Sequence, residues 1–180
     1  MMSAAHVNAG LGAVSRNRHA TRDRVIILLS VKAGMRAGEI AKLTWPMVCN
    51  ARGHVGRLIE LHDAAAKMRG GRNIPIHPTL RKALCELRKI DGGDDFVIHS
   101  ERGGGMSPGS VVNWFASLYG DLDFDGCSSH SGRRTFITKA ARNVHRTGGS
   151  IRDVQLLAGH RSISMTQRYI DGDTNAQRRL

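Results

Sequence analysis

The sequence predicts an α+β, mainly helical domain with one small antiparallel sheet. Three observations lead there. Apolar residues recur at helical spacing through most of the chain. Helix punctuation falls between those stretches, with stops at Gly34 and Gly159 and proline-marked starts at Pro78 and Pro108. Only two short runs, "RLIELH" and "RNIPIH", read as strands. The 180 residues are enough for one core and hardly enough for two.

Taken in order, residues 1–20 show no periodicity and are expected to form a flexible N-terminal arm ahead of a domain spanning 21–180. "TRDRVIILLSVKAG" offers Thr21 as N-cap, Asp23 in the first turn, a buried apolar stripe and Gly34 as stop. "RAGEIAKLTW" predicts a second helix with Ile40 and Leu43 on its buried face. The two strand candidates flank "AAAKMRGG", which reads as a hairpin tip. "PTLRKALCELRKI" is amphipathic through Leu80, Leu84 and Leu87. "GGDDFVIHSERGGGMS" is a turn-rich connector, and "SPGSVVNWFASLYG" opens another helix. "SSHSGRRTFITKAARNV" is buried through Phe136, Ile137, Ala140 and Ala141. "SIRDVQLLAG" has Ser150 and Asp153 at capping-box spacing and ends on Gly159. Ser162 or Ser164 can cap a last helix, which is expected to carry Tyr169.

Charge is the strongest bulk signal. Lys and Arg outnumber Asp and Glu 27 to 15, a formal net charge of +12. Such an excess attracts polyanions and favours nucleic acid as partner. Aromatic residues are only 4%, against a base-stacking platform for single strands. The longest apolar run, "VIILLSV", is far short of a membrane span. The start lacks the order of a secretory signal, and Cys49, Cys85 and Cys127 are scattered, so a cytoplasmic protein with reduced thiols is expected. No metal-ligand spacing occurs among nine histidines, and the glycine-rich stretches lack the Lys-Ser/Thr of a nucleotide loop, so neither metal nor cofactor is expected.

Several polar residues suit one task together. His130 and Arg133, in "HSGRR", share a face at a helix start. Arg36 follows the Gly34 stop, His160 follows a helix-ending glycine, and Lys67 lies in the hairpin tip. Two arginines, two histidines, a lysine and Tyr169 could hold a phosphodiester, attack it with a phenol and protonate the departing oxygen.

With those residues in view, the chain resembles the catalytic domain of the tyrosine recombinases, the phage integrase family. The family's motifs appear in order as "AGMRAGEIAKLTW", "KMRGGRNIPI", "HSGRRTF" and "LLAGHRSISMTQRY". The resemblance implies that Tyr169 is the nucleophile and that Arg36, Arg133 and His160 bind the non-bridging oxygens. It also implies Lys67 as the acid for the leaving 5′ oxygen, His130 in proton transfer or orientation, and Glu39 as support from behind. Arg69, Arg72, Arg134 and Arg161, basic neighbours of these motifs, are the candidate DNA contacts. Gly132 and Arg134 stand where the family often has Leu and His, and the missing side chain at Gly132 is expected to loosen local packing. Only the short arm precedes the first helix, so no helical DNA-clamping domain of the family's kind is expected in these residues, the chain being either a branch without the clamp or a fragment.

The implied function is site-specific recombination on double-stranded DNA through a 3′-phosphotyrosyl intermediate, by a homo-oligomer, a tetramer on DNA. Two alternatives share the fold: a catalytically impaired DNA-binding relic, and relaxation of supercoils in the manner of a type IB topoisomerase.

Overall fold

Eight α-helices, two short 3-10 helices and one two-stranded sheet are the regular elements among the described residues of the computed structural model, which are 1–62, 71–90 and 95–169. The first helix, α1 (Ala4–Val14), lies where a flexible arm was expected. Ser3 Oγ accepts the His6 N–H at 3.1 Å and caps it. Met2 is buried, its N–H donating to Thr135 Oγ1 at 2.9 Å and its sulfur accepting from the Tyr119 hydroxyl at 3.4 Å. The sequence "AAHVNAGLGAV" has no apolar stripe, so tertiary docking, not local pattern, orders this segment.

Helix α2 (Ala20–Ala33) is the central element, and it starts after His19 rather than at Thr21. Its run from Val25 to Val31 is buried on every side, because α1, α4 (Pro78–Ile90) and α6 (Ser131–Asn143) all pack against it. Fully buried side chains such as Ile26, Leu28 and Leu29 each contribute about 1.5–3 kcal/mol. Gly34 ends α2 in the left-handed region at φ 62°, and a Cβ there would run into the Phe136 ring. Helix α3 (Ala37–Ala41) follows at once, shorter than expected, with Leu43 buried beyond its end.

Strands β1 (Leu58–Leu61) and β2 (Arg72–Pro75) pair antiparallel, with Ile59 opposite Ile74 and Leu61 opposite Arg72. Alternation sends Ile59, Leu61 and Ile74 into the core and puts Arg72 on that same inward face. Helix α4 buries Leu80, Ala83, Leu84 and Leu87 on α2. Helix α5 (Pro108–Asp121) is capped by Ser107 Oγ, which accepts the Ser110 N–H at 3.0 Å, and packs on α3.

The last third positions the site. In α6, Gly132 is buried against α2, where a Cβ would strike Ser30 Oγ and come within 2.9 Å of Val31 Cγ1. The expected loosening is therefore reversed: glycine lets the two helices approach more closely. Helix α7 (Ile151–Ala158) has the Ser150–Asp153 box and ends at Gly159, φ 61°. Helix α8 (Ile163–Gln167) is capped by Ser162. A second apolar cluster of Ile137, Ala141, Val144, Val154 and Ala158 joins α6 to α7. No helix among the described residues is long and apolar enough to cross a membrane.

Candidate active site

Glu39 lies at the bottom of the site, 1% exposed, in the first turn of α3. Its Oε2 accepts the Arg36 backbone N–H at 2.8 Å and its Oε1 accepts Arg36 Nη1 at 2.7 Å. Arg72 closes the pair as a fork, Nη1 to Oε1 and Nη2 to Oε2, each at 2.9 Å. Burial alone would raise the carboxyl's pKa, but the hydrogen bonds and charge of Arg72, then of Arg36, hold it at about 2. Arg72, expected among the DNA contacts, is instead a buried anchor whose Nε also donates to Leu157 O at 3.0 Å. Its strand face points inward, and its side chain is 6% exposed. The alternation through Ile74 and Ile76 held that signal, since Arg72 shares their parity.

Arg133 points from the first turn of α6 to the junction of two loops. Nη1 donates to Gly34 O at 2.5 Å and Nη2 to Ala158 O at 2.6 Å. Arg133 therefore ties the end of α2, just ahead of Arg36, to the end of α7, just ahead of His160. Burial, then the repulsion of Arg36, lowers its pKa to about 10, which leaves it charged at neutral pH.

His160 is buried in the turn after α7. Its backbone carbonyl accepts Gln155 Nε2 at 3.0 Å, and its Nδ1 lies 2.9 Å from Thr166 Oγ1. Burial, then the charges of Arg133, Arg36 and Arg72, lower the imidazole pKa to about 4, so the ring is neutral at pH 7. Tyr169 stacks on it, with ring centroids 5.5 Å apart and planes 24° from parallel. The tyrosine is half-buried and leans on the α6–α7 apolar cluster. It stands just past α8 rather than within it, its N–H donating to Thr166 O at 3.0 Å.

Arg36, Glu39, Arg133, His160 and Tyr169, spread along most of the sequence, thus meet at one place, with Arg72 beneath. Three guanidiniums against one carboxylate leave two positive charges in this group. A neutral imidazole and a phenol adjoin them. Such a set can bind an anion and present a hydroxyl beside it.

The remaining candidates lie differently. His130 is the exposed N-cap residue of α6, and its side chain makes no hydrogen bond among the described residues. Arg134 and Arg161 are exposed. Lys67 and Arg69 lie outside the described residues. Gln155 and Thr166, both buried, were not foreseen. The only hint of Thr166 was its place between His160 and Tyr169 on one short segment.

A sequence profile described as the phage integrase family matches residues 1–176. A tyrosine recombinase XerC from Mesorhizobium japonicum is 26% identical over 162 residues, covering 86% of this chain and 48% of the relative. The chain spans about half the length of the curated relatives it matches. Among solved structures, the fold superposes on a XerA recombinase with TM-score 0.77 at 22% identity, covering 99% of this chain and 62% of that one. It also matches the Tn1549 transposon integrase, solved with a circular intermediate DNA. That match has TM-score 0.75 at 18% identity and covers 99% of this chain and 65% of that one.

Proposed function

The chain belongs to the phage integrase family, and from that premise we propose that it is a site-specific recombinase. On this reading it cuts and rejoins double-stranded DNA through Tyr169. The observation that carries the reading is the convergence of Arg36, Arg133 and His160 beside the Tyr169 ring. A DNA partner fits the net charge of +12 and the uncompensated positive charge of the site.

The chemistry follows from the groups present. Arg36, with one guanidinium nitrogen on Glu39, has further N–H groups for a non-bridging phosphate oxygen. Arg133 is fixed by two carbonyls and supplies charge from a rigid position. His160, neutral, can donate one N–H to the same phosphate. Together they favour the charge that builds on the oxygens as phosphorus becomes five-coordinate. The Tyr169 oxygen forms the new bond to phosphorus as the bond to the 5′ oxygen breaks. The phenol's proton leaves, with His130 assigned to its transfer, and the 5′ oxygen gains a proton, with Lys67 as the assigned acid. The products are a 3′-phosphotyrosyl link and a free 5′ hydroxyl. One phosphodiester is exchanged for another, so a hydroxyl from a second strand can reverse the step without an external energy source. Strand exchange needs several tyrosines, and a homo-tetramer on two duplexes is the assembly that this reading carries.

The test is covalent trapping. In a duplex nicked just 3′ of the cleavage position, the short fragment carrying the new 5′ hydroxyl diffuses away and leaves the protein joined to the 3′ phosphate. Tyr169→Phe should abolish trapping while duplex affinity stays within about twofold, because the phenol is lost and the charge is kept. Equal trapping by this variant would refute the assignment. Binding without trapping by the unaltered chain would leave the impaired relic in its place.

A further inference from the structure

We propose that Thr166 is a positioning residue that fixes His160 in the tautomer with its hydrogen on Nε2. Thr166 is fully buried, and its Oγ1 lies 2.9 Å from His160 Nδ1. Among the described residues that nitrogen is the hydroxyl's only partner. A hydroxyl always carries a hydrogen. If Nδ1 carried one too, it would donate to Oγ1 and the threonine O–H, turned away, would be buried without an acceptor among the described residues. The arrangement that satisfies both groups has the Thr166 O–H donating to Nδ1. The imidazole hydrogen then lies on Nε2, which has no partner among the described residues and stays available for an anion.

Two further contacts make Thr166 more than a packing residue. Its backbone carbonyl accepts the Tyr169 N–H at 3.0 Å, so one residue ties the imidazole to the turn that carries the phenol. The His160 backbone is held separately by Gln155, so loss of the hydroxyl should free the tautomer without releasing the loop. The catalytic consequence rests on the recombinase reading above: a neutral His160 donates to a phosphate oxygen only with its hydrogen on Nε2. The tautomer itself does not depend on that reading.

The experiment labels histidine with 15N and reads long-range proton–nitrogen correlations of His160 at neutral pH. The unaltered protein should show Nδ1 as an unprotonated nitrogen and Nε2 as a protonated one. Thr166→Ser keeps the hydroxyl and should keep that pattern. Thr166→Val keeps the shape, removes the hydroxyl and should shift both nitrogens toward the average of the two tautomers. Covalent trapping should fall about tenfold in Thr166→Val, with duplex affinity unchanged, and recover in Thr166→Ser. A protonated Nδ1 in the unaltered protein would overturn the proposal, and this result needs no variant to fold. So would an unshifted pattern in Thr166→Val, or equal impairment of the two variants. If the unaltered chain traps no DNA, the recombinase reading fails, while the nitrogen spectra still decide the role of Thr166.

Discussion

Glu39 and Arg72 need one another, because both lie where water cannot replace a missing partner. The Glu39 side chain is 1% exposed and that of Arg72 is 6% exposed. Glu39→Ala would leave Arg72 buried with an uncompensated charge. The expected loss is about 3–5 kcal/mol in urea unfolding, and a loss below about 1 kcal/mol would contradict the anchor role. Acid should act through two groups. The Glu39 pKa is lowered from 4.5 to about 2, so its stabilisation is complete above the unfolded value and is lost as pH falls toward 2. His160 falls from 6.5 to about 4, so the unfolded chain binds its proton first. Stability should therefore decline as pH drops through that interval. His160→Gln should flatten the stability profile between those two pH values and leave the steeper loss below them. An unchanged slope would show that the imidazole is not buried neutral.

At the scale of elements, the approach of α6 to α2 sets Arg133 against the end of α2, and Gly132 permits it. Gly132→Ala should destabilise the fold by about 1–3 kcal/mol, since overpacking outweighs the helix propensity gained. Ser30 Oγ is buried without a hydrogen-bond partner among the described residues and lies in the path of the new methyl. Ser30→Ala alone should be neutral or stabilising, and in the double variant it should recover part of the Gly132→Ala loss. Strictly additive effects in denaturant unfolding would contradict this contact. The same helices show what the sequence could reveal. Pro78, Ser107, Ser150 and Gly159 act within a turn of their own position, so the boundaries of α4, α5 and α7 could be read directly. Helix α1 could not, because its order comes from Met2 docking on Thr135 and Tyr119, far along the chain. The charged side chain of Arg72 suggested solvent, although its strand parity pointed inward. Arg36, Arg133, His160 and Tyr169 were legible because each sits in a short motif. The bond from Thr166 to the imidazole was not, since spacing alone does not tell a buried hydroxyl from an exposed one.

Across the whole molecule, the proposed reading assigns attraction of DNA to the +12 charge and strand cleavage to the candidate site. Arg134 and Arg161 are exposed and free of the Glu39 network. If they meet phosphates, replacing either by Gln should reduce the salt dependence of duplex binding by about one unit of slope. Trapping at saturating protein should be little changed. A slope that does not move would remove that residue from the interface. The central claim is that side chains remote in sequence meet so that one phenol takes over a phosphodiester. Its most direct measurement is peptide mass spectrometry of the protein after trapping on a nicked duplex and nuclease digestion. The account predicts a residual nucleotide joined through its 3′ phosphate to the peptide containing Tyr169, with fragment ions placing it on that tyrosine. An adduct on another residue, or no adduct after a confirmed binding reaction, would contradict it.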